Sequence, residues 1–204
     1  MAEQTELTAA ARGIKKVFIS QLLKVFSGLF TLLYGTLVKN ETVQFILGAV
    51  GFALLIAGII LEISGLKTAA PDEKGYRLAY KLSIGELCAL AVTLAALVIW
   101  PDLNGDSTDE LLYRLLDIFI AYTLIKTTIA RLKARGHEDI AAIGRPALFF
   151  VCACYGAQAF FSALDAFIRE GSVFMYISTS ILAVLGVIAT FFFALFLGKS
   201  WKRL

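Results

Sequence analysis

The apolar positions of this chain neither alternate at a strand period nor mark one face at a helical period. They fill six long stretches almost completely, at approximately 17–38, 43–66, 80–100, 111–132, 146–168 and 173–197. A helix that is hydrophobic all round belongs in a protein core or a membrane. About 20 such residues, rising ~1.5 Å each, are needed to cross a hydrocarbon core of about 30 Å. The pattern therefore predicts an all-α fold, a polytopic integral membrane protein built as a six-transmembrane-helix bundle. No intervening loop is long enough for a soluble domain. The expected organisation is an N-terminal segment 1–16, a transmembrane domain 17–198 and a basic tail 199–204.

Composition agrees: 59% of the 204 residues are hydrophobic and the mean hydropathy is +0.79, where soluble chains hold roughly 45–50% apolar residues. The first stretch is longer than the apolar region of a secretory signal, roughly 7–15 residues, and no small-x-small cleavage site follows it. It is expected to remain as a span.

Net charge is only +3, but its placement is informative. Arg12, Lys15 and Lys16 precede the first stretch, and Lys67, Lys74, Arg77 and Lys81 lie between or just inside the second and third. Lys126, Arg131, Lys133, Arg135 and Arg145 mark the junction of the fourth and fifth, and Lys199, Lys202 and Arg203 follow the sixth. The opposite loops hold only Lys39 and Arg169, and residues 101–110 are acidic. Basic residues of short loops stay cytoplasmic, so both termini are expected in the cytoplasm of a multi-pass cell-membrane protein. The basic rim would attract anionic membrane lipids; nothing points to nucleic acid. The economy of the chain looks prokaryotic.

Punctuation fixes the ends of the elements. Trp100 and Trp201 suit the two membrane interfaces. Ser107 with Glu110 reads as a capping box before the fourth span. Gly136 reads as the C-cap of a fourth helix that continues past the bilayer, and 137–145 as a short amphipathic turn on the membrane surface. Pro146 would then open the fifth span, where its missing N–H costs nothing. Lys67, Lys133 and Lys199 end the even-numbered spans at equal intervals, a hint of three tandem helical hairpins. Small-residue stripes suited to close helix packing occur at Ser27, Thr31 and Gly35, at Ala49, Ala53 and Ala57, and at Gly186, Thr190, Ala194 and Gly198. They could serve packing within the chain, a homo-oligomer or a partner membrane protein.

Ionisable groups at membrane depth are expensive and mark sites by default. They sort into two depths. Gln21, Lys24, Glu62, Glu86, Tyr122 and Lys126 form a candidate substrate-binding group toward the cytoplasmic side. Arg114, Asp117 and Asp165 form an outer polar cluster, with Arg114 and Asp117 three residues apart on one helical face. Two readings follow: static bridges that fix helix register, or a polar cavity open to the cytoplasm. Tyr155, in the middle of the fifth span, needs a hydroxyl partner.

Several chemistries are missing. Cys88, Cys152 and Cys154 contain no C-x-x-C pair, the single histidine is in a loop, and no hydrolase, zincin or phosphate-loop motif occurs. No catalytic residue, metal site or cofactor is predicted. The first functional reading is a transport or solute-binding membrane subunit, with a small solute as partner. The second is an accessory, assembly or immunity-type protein that binds a partner through its helix surfaces, and an intramembrane enzyme using Glu86 or Asp117 comes third. Six spans in about 200 residues with cytoplasmic ends is similar in layout to the substrate-binding components of energy-coupling-factor vitamin transporters. The likeness is of architecture alone; no motif of that family occurs.

Overall fold

The computed structural model is all-helical and describes residues 8–36, 41–99, 107–165 and 173–204. Its helices are α1 (Ala9–Thr36), α2 (Glu41–Ala69), α3 (Lys74–Ile99), α4 (Ser107–Ala134), α5 (Glu138–Asp165) and α6 (Val173–Ser200), followed by a 3-10 turn at Trp201–Arg203. Each helix packs on its neighbours in the chain, and α6 packs back on α1, so the six close into a ring. Large apolar side chains face outward all round it: Phe26, Phe52, Val92, Phe119, Phe149 and Leu195 are exposed. Such a continuous apolar exterior suits lipid, not water. Four helices are long and apolar enough to cross a membrane, over Ala9–Leu33, Thr42–Ala69, Glu138–Phe161 and Ala183–Arg203. On their described residues α3 and α4 do not reach that measure; α4 carries Asp117, Lys126 and Arg131.

One end of the ring, here the proximal end, gathers residues 8–10, 70–73, 135–137 and 200–204. The Thr8 hydroxyl donates to the Leu204 carbonyl at 2.8 Å. Asp72, in the turn between α2 and α3, accepts the Ala10 N–H at 2.8 Å and pairs with Arg131 of α4 at 2.9 Å. A first-turn N–H has no partner within its own helix, so Asp72 caps α1 from a different element. Gly136 has φ +76, and the His137 and Gly136 N–H groups donate to the Leu132 and Lys133 carbonyls at 2.9 Å each. That is a Schellman motif closing α4, at the glycine the sequence marked.

Three expected boundaries are corrected here. Residues 9–16 are not a separate leading segment. They are the first turns of α1, because Ala10, Ile14 and Val17 place an apolar face into the core. The basic tail is likewise packed, with Ser200 and Leu204 buried. Residues 138–145 continue directly into α5, leaving Pro146 inside the helix. Tertiary packing overrides the local signal: Ala141 is fully buried, and a Cβ on Gly144 would lie 2.5 Å from Ile129 of α4 and 2.7 Å from Phe196 of α6.

The closest helix pair is α1–α2. A Cβ on Gly13 would stand 2.5 Å from the Gly65 carbonyl, and one on Gly65 would stand 2.7 Å from the Gly13 carbonyl. Backbone therefore touches backbone. Gly51, Gly58 and Gly65 recur every seventh residue along α2 and face Ser27, Ser20 and Gly13, a seven-residue repeat that keeps one seam facing its partner. The alanine stripe at 49, 53 and 57 is not this seam; it lies on the exposed face of α2. The stripe on α6 does pack internally: Gly186 meets Gln158, Gly198 meets Phe18, and Thr190 and Ala194 are buried. The other tight pair is α4–α5, which crosses the boundary between the second and third of three tandem hairpins. The six helices pack as a ring of neighbours in the chain.

Replacing Gly65 by Val is expected to lower the melting temperature of the detergent-solubilised protein steeply, since overpacking costs about 1–3 kcal/mol even where side chains can yield. Gly85→Ala, where a Cβ meets nothing within 4 Å, should be neutral or stabilise by up to about 1 kcal/mol. Equal melting temperatures for the two variants would remove the seam from this account.

Candidate functional site

The proximal half of the ring is filled. Ile14, Val17, Leu66, Tyr76, Leu124, Ile125, Leu132, Phe196 and Leu197 are almost wholly buried and make one continuous core. Tyr76, which precedes the third apolar stretch, shares a hydrogen bond with the Thr128 hydroxyl at 3.3 Å, and burial pushes its phenol up to about 12.

Above this core lies a buried carboxylate. Glu62 of α2 is 3% exposed. It accepts from Gln21 Nε2 at 2.7 Å, Lys24 Nζ at 2.8 Å and Ser20 Oγ at 3.3 Å, with Ser83 Oγ of α3 at 3.5 Å. Lys24 follows Gln21 by three residues and Ser20 by four, so both neighbour it on the surface of α1. A buried charge is tolerable only when paired and fully hydrogen-bonded, and Glu62 has both kinds of partner. Lys24 spans the border: its side chain is 16% exposed and its carbon stem passes Gly58, where a Cβ would lie 3.2 Å away.

On the distal side of this network the ring encloses a cavity of about 380 Å³, lined by all six helices. Lys24 stands at its floor, with Ser27, Gly28 and Thr31 rising along α1. Glu86 comes from α3, Tyr113 and Asp117 from α4, Tyr155 and Gln158 from α5, and Gly186 and Thr190 from α6. Leu55, Ile59, Leu87, Leu90 and Val187 supply apolar wall. The carboxylates of Glu86 and Asp117 add to the field of Glu62 at the Lys24 ammonium. The Tyr155 phenol shares a hydrogen bond with the Thr190 hydroxyl at 3.2 Å, and Thr190 donates onward to the Gly186 carbonyl at 2.8 Å. Pockets of this size, mostly apolar with a few convergent polar groups, are the usual form of a small-molecule site.

Gln21, Lys24 and Glu62 are in direct contact, and Glu86 lines the cavity that Lys24 enters. The two expected depths merge, since Asp117 of the outer cluster lines the same cavity. The side chains of Arg114 and Asp165 lie outside the described residues. Tyr122 and Lys126 sit elsewhere: Tyr122 is 41% exposed, and Lys126 Nζ donates to its hydroxyl at 3.1 Å on the outer surface of α4. The core fills the proximal end, and every residue lining the cavity lies distal to Glu62. Gln158 and Tyr113 join the site without having been expected, and Thr190, expected only as a packing residue, lines it as well. An amide in the middle of an apolar helix is the signal that would have found Gln158. Among the described residues, no cluster of three or more His, Cys, Asp and Glu is placed to hold a metal.

No family model, no curated protein and no solved structure matches this chain.

Removing one member of the Lys24–Glu62 pair leaves an uncompensated buried charge, at a cost of about 3–5 kcal/mol. Lys24→Met or Glu62→Gln alone should therefore lower the melting temperature markedly, and the Lys24→Met/Glu62→Gln double variant should recover most of the loss. Additive losses in this double-mutant cycle would mean that the two side chains are not coupled.

Proposed function

We propose that this protein is a solute-binding membrane subunit of transport type, and that its distal cavity holds a small organic cation. The observation carrying this reading is the cavity itself, walled by all six helices with Lys24, Glu86 and Asp117 at its surface. Static bridges alone would need no space between helices, whereas this ring keeps about 380 Å³ open. Two carboxylates, Glu86 and Asp117, and one ammonium, Lys24, line the cavity, a set that attracts a cation more than an anion. Apolar wall and two tyrosine rings suit an alkylammonium better than a hydrated metal ion.

In the same reading the chain crosses a cell membrane six times with both termini cytoplasmic, supported by the basic residues collected at the proximal end. The cavity then lies in the half of the bundle away from the cytoplasm. A second reading, partner binding through helix surfaces, draws support from the exposed alanine face of α2 at 49, 53 and 57.

Purified protein in mild detergent is expected to bind tetraethylammonium and not benzenesulfonate, an anion of comparable size. Glu86→Gln should weaken that binding at least about tenfold, a loss of about 1.4 kcal/mol. Binding of the anion instead would overturn the charge assignment. Native mass spectrometry showing no small solute but a co-purifying membrane protein would favour the second reading. For topology, single cysteines introduced at positions 40 and 105 of a cysteine-free chain should react with an impermeant reagent added outside cells. Cysteines at 70 and 137 should react only after lysis; the reverse pattern would invert the orientation.

A further inference from the structure

A second concavity lies on the outer surface of the ring, between α5 and α6 at the proximal end. It holds about 250 Å³ and is lined by apolar groups with one exception, Lys199. Its distal end is closed by the stacked rings of Phe150 and Phe192, whose centroids are 5.1 Å apart and whose planes are 11° apart. Ile143 and Pro146 form the α5 wall, and Leu195 the α6 wall. From Phe192 to Lys199 the groove runs about 10 Å along α6, at ~1.5 Å per residue. Its only charge, Lys199, is at the proximal mouth, two residues before Trp201, and Lys202 and Arg203 of the following 3-10 turn are exposed. Glu138 and Asp139 open α5 a turn farther out, beyond the groove lining.

We propose that this groove is a binding site for an anionic glycerophospholipid, with the phosphate on Lys199 and the upper part of one acyl chain between Pro146 and Leu195. The inference is independent of the cavity and rests only on the membrane reading. Charge complementarity selects the occupant. A partner helix would need a long apolar face, whereas this groove is short, apolar within and cationic at one end. That is the layout of a lipid tail beneath its headgroup. Basic pockets between spans at the membrane surface recognise anionic headgroups in this manner, and each buried methylene of the chain adds affinity. The concave shape makes the site specific, since a smooth helix face would leave surrounding lipid free to exchange.

The test uses the full chain in mild detergent, titrated with dioleoyl-phosphatidylglycerol or dioleoyl-phosphatidylcholine and read by native mass spectrometry. The wild type should hold phosphatidylglycerol about tenfold more tightly than phosphatidylcholine. Lys199→Glu should abolish that preference, as expected when one attractive charge becomes repulsive. Leu195→Trp, which fills the groove from its exposed wall, should weaken both lipids at least fivefold; Ile143→Trp provides the same test from the α5 side. Melting temperatures of all variants establish that they are folded. Equal retention in wild type and variants would overturn the proposal. So would a loss with Lys199→Glu but not with either tryptophan variant, which would show surface attraction without a tail site. Competition by millimolar glycerol 3-phosphate would equally overturn it, by assigning the lysine to a free anion.

Discussion

A carboxylate inside an apolar bundle must be surrounded by donors before the bundle can close, and Glu62 sets that requirement here. Its oxygens draw on Ser20, Gln21 and Lys24 of α1 and on Ser83 of α3. Three helices are therefore fixed in register by one group. Short side chains such as Ser20 reach Glu62 only if α1 and α2 approach closely, and Gly58 and Gly65 provide that approach. Seam and network depend on each other. Widening the seam would strip the carboxylate of its shortest donors, and losing the carboxylate would leave Lys24 stranded beside the cavity it borders.

The long apolar runs made the helices legible, because a segment that is apolar all round has few alternatives. Their ends were less so. Pro146 reads locally as a helix start, but the packing of Ala141 and Gly144 against α4 and α6 carries the helix backward by two turns. The same limit applies to helix faces. Alanine and glycine look alike as small residues, yet only glycine lets backbones touch, so the seam runs through Gly51, Gly58 and Gly65 and not through the alanines beside them. A moment analysis cannot help where every face is apolar. Lipid-facing and core-facing positions then differ in size and shape, not in polarity.

The site was legible in part for the same reason. Charge marked Lys24, Glu62, Glu86 and Asp117 as residues of interest, since a charge in an apolar run is conspicuous. Spacing could join Tyr122 to Lys126 on one helix, and those two do meet, but it could not say that their shared face points outward. Sorting residues by half of the membrane also separated Lys24 from Asp117. Both lie near mid-helix on strands of the ring that run in opposite directions, and a ring brings such levels together at its axis.

Why the axis is open on one side of Glu62 and closed on the other follows from side-chain volume. Six helices in a ring enclose more space than four, and the residues facing inward must fill it or leave it. Along α6 the inward positions run from Phe196 and Phe193, both buried in the proximal core, through Ala189 to Gly186 and Ala183 at the cavity. Along α1 they run from Ile14 and Val17 to Ser27, Gly28 and Thr31. Both helices taper from large to small in the same direction, and on both the change occurs at the level of the Glu62 network. Close packing sets part of the taper: a Cβ on Gly28 would lie 2.8 Å from Val187 and one on Gly186 2.6 Å from Gln158, so small residues at the cavity also let the helices around it meet. Space of this kind loses dispersion contacts for every side chain that lines it. Polar walls reduce that loss only if something polar occupies them, which is the part the proposed solute would play.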